Sequence, residues 1–529
     1  MSSLPVWPRQ FSRVFSTLTR GTLLFFGVGA MPLRADVHLH PLFSDHAVLQ
    51  RGKPVRVWGW ANPGEAVSVA FAGQTVKTTT GSNGKWSAVL ASLSANAIPA
   101  TLRVQGQNTV EIQDLLVGEV WICSGQSNME WPMSRSFQAD ADIQAGANPN
   151  LRLFTVVKNR SQVPLDNFAD PTTHAWKVSA PDAVRSFTAV GYYFGRDLQA
   201  ALGVPVGLIH TSWGGSPAEV WMSEGALKSN HVYARDILDP WLLQLRTYQQ
   251  NVAAWESEKK NAAQNNQPFA KNRPGMGWTP AELYNGMLHP LIPYGIAGAI
   301  WYQGESNAGR AFEYRSLFAD MIRNWRQDFG QGDIGFLAVQ LAPFDRNKKR
   351  SLSEIGATPV ESDWAELREA QGVAMKALPN VGVAVITDVG DKDDIHPTKK
   401  QPVGARLALL AERMTYGLPV QAQGPILRSA IPSGDHVNLM FDEAATGLKS
   451  LDGGDLQGFA VAGADRVWHW AKAVIKPGNL VQISCADVAR PVAVRYGWAD
   501  YPIVNLANSA GLPASPFRTD NWPMLTTKR

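Results

Sequence analysis

A serine stands in a short polar turn directly after an apolar run that is typical of a buried strand. The run is Val120–Cys123, and the turn is Ser124-Gly-Gln-Ser-Asn128. Because open α/β sheets place their chemistry at the carboxyl ends of strands, Ser127 would face a crevice. A hydroxyl is a weak nucleophile, so it needs an adjacent base, and that base needs a third group to orient it. The pattern predicts nucleophilic chemistry at Ser127 if other segments supply those partners.

The candidate base is His396, which follows the last strong strand pattern of the central region. A histidine with a pKa near about 6.5 suits general base catalysis close to neutral pH. Its Nε2 must reach the serine, and a carboxylate must orient its Nδ1. Asp393 is the preferred orienting residue, because a carboxylate three residues upstream in a loop can curl back onto the ring. Asp394 and Asp391 are the alternatives.

Donors for a developing negative charge are predicted in three places. Ser127 can use its own backbone N–H. Gly214 or Gly215 can bring a backbone N–H close, because neither residue has a Cβ, and Gln303 or Asn307 can offer a side-chain amide. We expect an oxyanion hole formed by Ser127, Gly215 and Gln303.

The central region, residues 116–420, must position these groups. Strand and helix patterns alternate there, which predicts an α/β fold with a mostly parallel sheet. Strands are predicted at 120–123, 207–212, 296–302, 334–341 and 381–387, and helices at 187–202, 236–261, 314–325, 363–378 and 401–414. Several of these strands end in compact polar motifs, and carboxyl ends of parallel strands meet at one edge. We therefore expect the motifs to converge on one crevice.

Both flanks of this region are β-rich. Residues 36–115 contain short alternating runs separated by turn signals, which predicts a β-sandwich with a hairpin turn at 82–85. After about residue 420 strand patterns return and continue through 421–529. The two flanks could pair into one composite sandwich or form two separate ones.

Composition excludes several classes of protein. Of the 529 residues, 45% are hydrophobic and 18% are charged, which is typical of a globular chain and not of a disordered one. The net charge of +4 is small, and the absence of a Lys/Arg run argues against nucleic acid as a partner. The only cysteines, Cys123 and Cys485, do not make a disulfide framework, and no Cys/His cluster has zinc spacing. We expect neither a metal nor another cofactor.

The first 35 residues have the pattern of a signal peptide. Arg9, Arg13 and Arg20 precede the apolar run Gly21–Leu33, and a plausible cleavage point lies before Asp36. The run is too short for a membrane-spanning helix. The expected location is therefore periplasmic or extracellular, with no membrane attachment after cleavage.

Several motifs together resemble the SGNH hydrolase superfamily and, within it, the sialate O-acetylesterase-like carbohydrate esterases. The matching segments are Ser124–Trp131, Ser212–Glu219, Leu283–Pro290, Trp301–Asn307, Asp394–Pro397, Arg495–Trp498 and Gly511–Asp520. The resemblance implies a flavodoxin-like three-layer catalytic domain with β-rich flanks, no metal, and hydrolysis of acetyl esters on sugars. It also implies that Ser127 is the nucleophile and His396 the base. Gln303 stands where the superfamily usually has Asn, and His289 is either a structural loop residue or part of the site.

The resemblance makes the residues beside the motifs candidates for substrate binding. Trp131, Trp213 and Trp301 could stack on sugar faces, Asn307 could contact the substrate, and Glu305 could contact it or hold the site together.

The expected substrate is an acetylated glycan. It could be an acetylated hemicellulose oligosaccharide, such as one from xyloglucan or xylan, or an O-acetylated sialic acid. Neutral glycans are preferred, because the motifs contain no Arg-rich pocket for a carboxylate. A non-catalytic carbohydrate-binding protein is the alternative. A lipase is disfavoured, because the insert at 236–277 is polar.

Overall fold

The computed structural model describes residues 36–347 and 349–527, and its helices lie between two β-rich ends. The strands are β1 (His38–Leu39), β2 (Val48–Gln50), β3 (Val55–Trp60), β4 (Ala66–Phe71), β5 (Gln74–Thr79), β6 (Lys85–Leu90), β7 (Asn96–Gln105), β8 (Thr109–Gly125), β9 (Asn148–Thr155), β10 (Lys177–Ser179), β11 (Val206–Ser212), β12 (Gly298–Tyr302), β13 (Gly335–Val339), β14 (Val381–Ala384), β15 (Ile426–Ser433), β16 (His436–Asp442), β17 (Leu448–Ser450), β18 (Phe459–Ala462), β19 (Trp468–Trp470), β20 (Lys472–Lys476), β21 (Leu480–Ser484), β22 (Ala493–Tyr496), β23 (Leu506–Asn508) and β24 (Phe517–Arg518).

The helices occupy the middle of the chain. They are α1 (Ser127–Glu130), α2 (Ala139–Gln144), α3 (Pro181–Ser186), α4 (Ala189–Leu202), α5 (Glu224–Ser229), α6 (His231–Tyr233), α7 (Asp239–Gln264), α8 (Ala311–Phe329), α9 (Leu352–Ile355), α10 (Asp363–Ala377) and α11 (Gln401–Met414). Short 3₁₀ segments occur at Met133–Arg135, Pro171–Thr173, Ala218–Trp221, His289–Leu291 and Glu305–Arg310, and π turns occur at Ala234–Leu238 and Tyr284–Leu288.

A twisted sheet with the order β10-β9-β11-β8-β12-β13-β14 forms the centre of the molecule. All neighbouring pairs from β9 to β14 are parallel, and β10 is an antiparallel edge strand. The chain continues from β8 to β9 and β11 on one side of β8, whereas β12 lies on its other side. The crevice expected at such a switch point therefore lies beyond the carboxyl ends of β8 and β12.

The sheet is covered on both faces, which confirms the three-layer α/β expectation. Successive residues of β8 point to opposite faces. Cys123 shares an apolar core with Val190 of α4 and Leu407 of α11, whereas Ile122 shares the other core with Leu317 of α8. The buried side chains of α8 recur at helical spacing, as predicted.

Strand β8 is 17 residues long and belongs to two regions. Its first part pairs with β7, and its last part pairs with β11 and β12. The predicted boundary between residues 115 and 116 therefore falls inside one continuous strand. The division into regions 36–115, 116–420 and 421–529 stays a prediction.

The amino-terminal β region is built from two sheets around a shared core, as expected of a sandwich. The predicted hairpin at residues 82–85 is wrong: β5 pairs with β4, whereas β6 pairs with β3 in the other sheet. Asn83-Gly84 does reverse the chain, and Gly84 has a φ of +74°. Turn residues fix a local reversal, but burial on the two sheets selects the pairing partner.

The carboxyl-terminal β region has its own core, around Val437, Val461 and Ile483. Its strands form the sheets β15-β16-β21-β20, β17-β23 and β19-β18-β22-β24. In the described residues none of these strands pairs with a strand of the amino-terminal region, so the flanks are two separate β regions.

The predicted signal peptide, residues 1–35, lies outside the described residues. Across 36–347 and 349–527, no helix combines the length and apolar character needed to cross a bilayer.

Candidate active site

The serine turn is fixed by the ends of the neighbouring strands. Strand β8 ends at Gly125 and helix α1 begins at Ser127. Gly125 has a φ of +135°, and a Cβ there would lie 2.2 Å from Tyr302 O, so only glycine fits. The N–H of Gln126 donates to Tyr302 O at 2.9 Å, and the N–H of Trp213 donates to Gly125 O at 3.1 Å. Strands β11 and β12 thereby hold Ser127 in place.

His396 lies against the serine, as expected of a general base. Its Nε2 is 2.8 Å from Ser127 Oγ. Partial burial is the main cause that lowers the pKa of His396 from its ordinary value; the Lys400 and Arg135 cations add to this, and Asp394 opposes it. The imidazole is therefore neutral at neutral pH, and its Nε2 can accept the serine proton.

Asp394, and not the preferred Asp393, is the carboxylate placed beside the histidine. Asp394 Oδ1 is 3.5 Å from His396 Nδ1 and also accepts the backbone N–H of His396 at 2.9 Å. Asp393 Oδ1 instead accepts from Lys392 Nζ at 2.5 Å and from the N–H of Lys349 at 3.1 Å. The geometry therefore favours Asp394 as the orienting residue.

The fold of the histidine loop explains this difference. Asp391 Oδ1 accepts the backbone N–H groups of both Asp393 and Asp394, at 2.9 and 3.1 Å. A side chain that caps its own loop in this way forms a tight turn. The third candidate, Asp391, thus shapes the loop, and the turn leaves Asp394 nearest to the ring.

Trp131 packs against the histidine ring. Its ring stacks on the His396 ring with centroids 5.5 Å apart and an interplanar angle of 20°, and only 8% of the residue is exposed. Trp301 is fully buried and packs edge-on against Trp221. Burial under other side chains therefore argues against both rings as sugar-facing residues. Trp213 is half-buried and remains a candidate.

The glycine pair lies beside the serine, but the two residues differ in availability. A Cβ on Gly214 would be 3.2 Å from Ser127 Cβ, so this loop borders the nucleophile. The N–H of Gly214 already donates to Glu130 Oε2 at 2.7 Å, and Glu130 also pairs with Lys158 at 2.5 Å. Gly215 is exposed and has a φ of +76°. The geometry therefore favours Gly215 over Gly214 as an oxyanion donor.

Gln303 and Asn307 are buried in a hydrogen-bond network instead of facing a substrate. Gln303 Nε2 donates to Ser216 O at 3.2 Å and to Asn307 Oδ1 at 2.7 Å, and its Oε1 accepts from Tyr314 at 2.9 Å. An amide NH₂ has two hydrogens, so both are engaged. Asn307 Nδ2 donates to Glu219 Oε2 at 3.0 Å. The expectations of a Gln303 oxyanion donor and an Asn307 substrate contact are not met in this arrangement, because these polar groups stabilise each other.

A buried polar network behind the serine was not predicted from the sequence. Asn128 Nδ2 donates to Glu305 Oε1 at 2.6 Å and to Ile395 O at 3.0 Å, and Lys400 Nζ donates to Asn128 Oδ1 at 2.6 Å. The network therefore joins the serine turn to the histidine loop. Of the two expected roles of Glu305, the contact with Asn128 favours the one of holding the site together. Lys400, four residues after the histidine in a polar loop, has the sequence pattern of a solvated side chain.

Burial sets the ionisation of this network. Only 1% of Lys400 is exposed, and burial lowers its pKa to about 7, although Glu305 and Asp394 oppose this shift. Burial also raises the pKa of Glu305, against the hydrogen bond from Asn128 and the charge of Lys400. Lys400 is thus a buried group close to the catalytic pair, and its pKa of about 7 means that its charge changes near neutral pH.

The remaining candidates lie outside this cluster. His289 is held by a hydrogen bond of 2.8 Å between its Nδ1 and Leu165 O, which is a loop contact. Cys123 is buried, and burial raises the pKa of its thiol. Within the part of the chain that the structure describes, no three His, Cys, Asp or Glu side chains are grouped as metal ligands.

Comparisons with known proteins identify the family. The family model for carbohydrate esterases of the sialic acid-specific acetylesterase type matches residues 117–261 and 270–412. Mouse sialate O-acetylesterase is 30% identical, over 87% of this chain and 90% of the mouse protein. The human sialate O-acetylesterase is 26% identical, over 87% of this chain and 88% of its own.

A solved structure is also similar over nearly the whole length. A carbohydrate acetylesterase from Xanthomonas citri superposes with a TM-score of 0.78 at 38% identity, covering 92% of this chain and 100% of its own. Together, the fold and these matches define an enzyme of the carbohydrate O-acetylesterase class. The chain belongs to the family of sialic acid-specific acetylesterases, which spans most of its α/β region.

Proposed function

We propose that this protein is an exported serine esterase that removes O-acetyl groups from carbohydrates through an acetyl-serine intermediate. The observation that carries the proposal is the 2.8 Å contact between His396 Nε2 and Ser127 Oγ at the switch point of the sheet. The lowered pKa of His396 supports the same role, since only the neutral ring can accept a proton.

The reaction has two steps that use the same base. His396 takes the proton of Ser127 as the oxygen attacks the acetyl carbonyl, and the C–O bond to the sugar then breaks. The leaving sugar oxygen receives the proton from His396. A water molecule, deprotonated by His396, attacks the acetyl-serine, and acetate leaves as Ser127 regains its proton. Asp394 holds the ring and stabilises its charged form.

The proposed oxyanion hole consists of two backbone donors. Ser127 is the first residue of α1, so its N–H has no partner within that helix. Gly215 lies next to Gly214, which borders Ser127. Gln303 could act as a third donor only if its amide left Ser216 or Asn307. We therefore restrict the proposed hole to Ser127 and Gly215.

Two classes of substrate are compatible with the names of the relatives. The mammalian relatives are sialate O-acetylesterases, and the similar bacterial structure is a carbohydrate acetylesterase. The candidates are accordingly O-acetylated sialic acids and acetylated hemicellulose oligosaccharides from xyloglucan or xylan. Export is proposed from the pattern of residues 1–35. A non-catalytic binding protein is disfavoured, because such a protein has no need for a serine in contact with a neutral histidine.

Acetate release tests the proposal. We would incubate the wild type and Ser127→Ala with acetylated xyloglucan and xylan oligosaccharides and with 9-O-acetyl sialic acid. Release by the wild type and its loss in Ser127→Ala would support the serine mechanism and identify the substrate group. Unchanged release by Ser127→Ala would exclude this serine from the chemistry. Comparing the periplasm and medium with the cytoplasm, with and without residues 1–35, tests export.

A further inference from the structure

A long groove runs along one side of helix α7. One part has a volume of about 270 Å³ and is lined by Trp241, Trp278 and Arg310 among others. The next part has a volume of about 370 Å³ and is lined by Tyr248 and Met276 among others. Gln244 and Trp278 line both parts, so the two parts are adjacent. The volume of the groove is larger than a single acetyl group occupies.

One wall of the groove packs against the loop that follows β11, next to the serine turn. Trp278 packs edge-on against Trp213, with ring centroids 5.6 Å apart. Trp213 directly precedes Gly214, where a Cβ would lie 3.2 Å from Ser127 Cβ. Trp213 therefore connects the serine turn to Trp278 in the wall of the groove.

The walls of the groove have the chemistry of a sugar-binding surface. Trp241, Tyr248 and Trp278 are half-buried, so each ring keeps an exposed part. Flat aromatic rings with a polar atom suit ligands that have apolar faces and hydroxyl groups. Helix α7 has no buried residue, and Leu243, which lines the groove, is 65% exposed. This side of α7 is therefore not explained by core packing.

The cations beside the groove already have carboxylate partners: Lys158 and Arg160, which lie over the Trp213 and Trp278 rings, pair with Glu130 and Glu282. Arg310 is a cation of the lining, but it pairs with Glu219 and with Glu313 at 2.5 Å. Asp236, also in the lining, pairs with Arg235. An anionic group that approached Arg310 would have to compete with two carboxylates, of which Glu219 is 9% and Glu313 is 8% exposed at the side chain. A sialate carboxylate is therefore disfavoured there.

We propose that this groove binds the main chain of a neutral oligosaccharide whose acetylated unit lies at Ser127. The inference rests on the proposed esterase function and narrows its substrate to a neutral glycan of several sugar units. Trp213 and Trp278 bind the units nearest to the acetyl ester, and Trp241 and Tyr248 bind those further away.

The test compares substrates of different length. We would measure kcat/KM for acetylated xylo-oligosaccharides of one to six units and for p-nitrophenyl acetate, with the wild type, Trp278→Ala and Trp278→Phe. The wild type should prefer long oligosaccharides to short ones. Trp278→Ala should lower the ratio of the hexasaccharide value to the p-nitrophenyl acetate value about tenfold or more. Trp278→Phe should restore most of this ratio, because it keeps a flat ring.

Trp255→Ala is the matched control. Trp255 holds the loop against α7, through Phe269 at 5.6 Å between centroids and through Lys271 O at 2.8 Å, but it does not line the groove. Its replacement should leave the substrate ratio unchanged. If the substrate ratio fell equally in Trp255→Ala and Trp278→Ala, the proposal would be overturned. The effect would then come from loosening of the insert at 236–277.

Two results separate this inference from the proposed function. If the wild type releases acetate from every oligosaccharide with no dependence on length, the groove proposal fails and the esterase proposal stands. If the wild type releases acetate from no glycan, the proposed function fails. Calorimetric binding of deacetylated xylohexaose to Ser127→Ala then tests the groove without catalysis: binding that Trp278→Ala abolishes supports the groove, and no binding overturns it.

Discussion

The two sides of Ser127 differ in how their hydrogen bonds are used. On one side, His396 Nε2 faces the serine oxygen at 2.8 Å, and Asp394 lies behind the ring. On the other side, most groups that could bind an oxyanion already have partners. Gly214 donates to Glu130, and Gln303 donates to Ser216 O and Asn307.

The difference shows what a motif can and cannot specify. A base needs only one acceptor atom near the serine. The loop after a parallel strand places that atom, His396 Nε2, beside Ser127. An oxyanion donor needs a hydrogen that nothing else accepts, and this depends on partners from distant segments. Tyr314, which fixes Gln303, comes from helix α8. Residue type and spacing thus predict the base side better than the oxyanion side.

The largest effect should follow from removal of the base. His396→Ala should lower kcat by about 10⁴–10⁶-fold, because the serine then has no proton acceptor. His289→Ala is the control: this histidine lies in a similar family motif but contacts Leu165 O, so its kcat should stay close to wild type. Steady-state acetate release measures both. A strong loss of kcat in His289→Ala would contradict the assignment of His396 as the base.

The orienting carboxylate should have the next largest effect. Asp394→Asn should lower kcat about 10²-fold, less than the loss for a buried triad aspartate, because Asp394 is 59% exposed and 3.5 Å from Nδ1. Asp393→Asn should change kcat little, since its carboxylate accepts from Lys392 and Lys349. The opposite ranking in acetate-release assays would restore the sequence-based preference for Asp393.

Gln303→Glu sharpens the comparison on the oxyanion side. The substitution replaces a donor by an acceptor that faces Ser216 O and Asn307 Oδ1, so the free energy of unfolding should fall by about 1–3 kcal/mol. Urea unfolding measures this loss. The kcat of the folded enzyme should fall by less than the roughly 10²–10³-fold that loss of an oxyanion donor causes. A large loss of kcat with unchanged stability would make Gln303 an oxyanion donor.

The smallest effect concerns pH. Lys400 lowers the pKa of His396, so Lys400→Met should raise that pKa and move the acidic limb of the kcat/KM profile to higher pH. The sign follows because the active form is the neutral imidazole, and its protonation would then begin at higher pH. Lys399→Met, an exposed neighbour, should leave the limb in place. A limb that moves to lower pH in Lys400→Met would contradict this account.

Local pattern predicted much of the fold. Helix α11 spans the predicted residues 401–414, and α8 buries the apolar side chains that recur at helical spacing. The hairpin at 82–85 failed because turn chemistry does not choose between two sheets. The burial of Trp131 and Trp301 was not foreseen, because it depends on segments far away in the chain. Lys400 was missed because a lysine in a polar loop gives no sign of burial.

The most direct test of the central claim is to trap the intermediate. We would quench the enzyme during turnover of an acetylated oligosaccharide and analyse its peptides by mass spectrometry. The account predicts one added acetyl group on the peptide with Ser127, more of it in Asp394→Asn if deacetylation slows more than acetylation, and none in Ser127→Ala. Acetate release at the wild-type rate by Ser127→Ala, with no acetyl group on the Ser127 peptide of the wild type, would contradict the account.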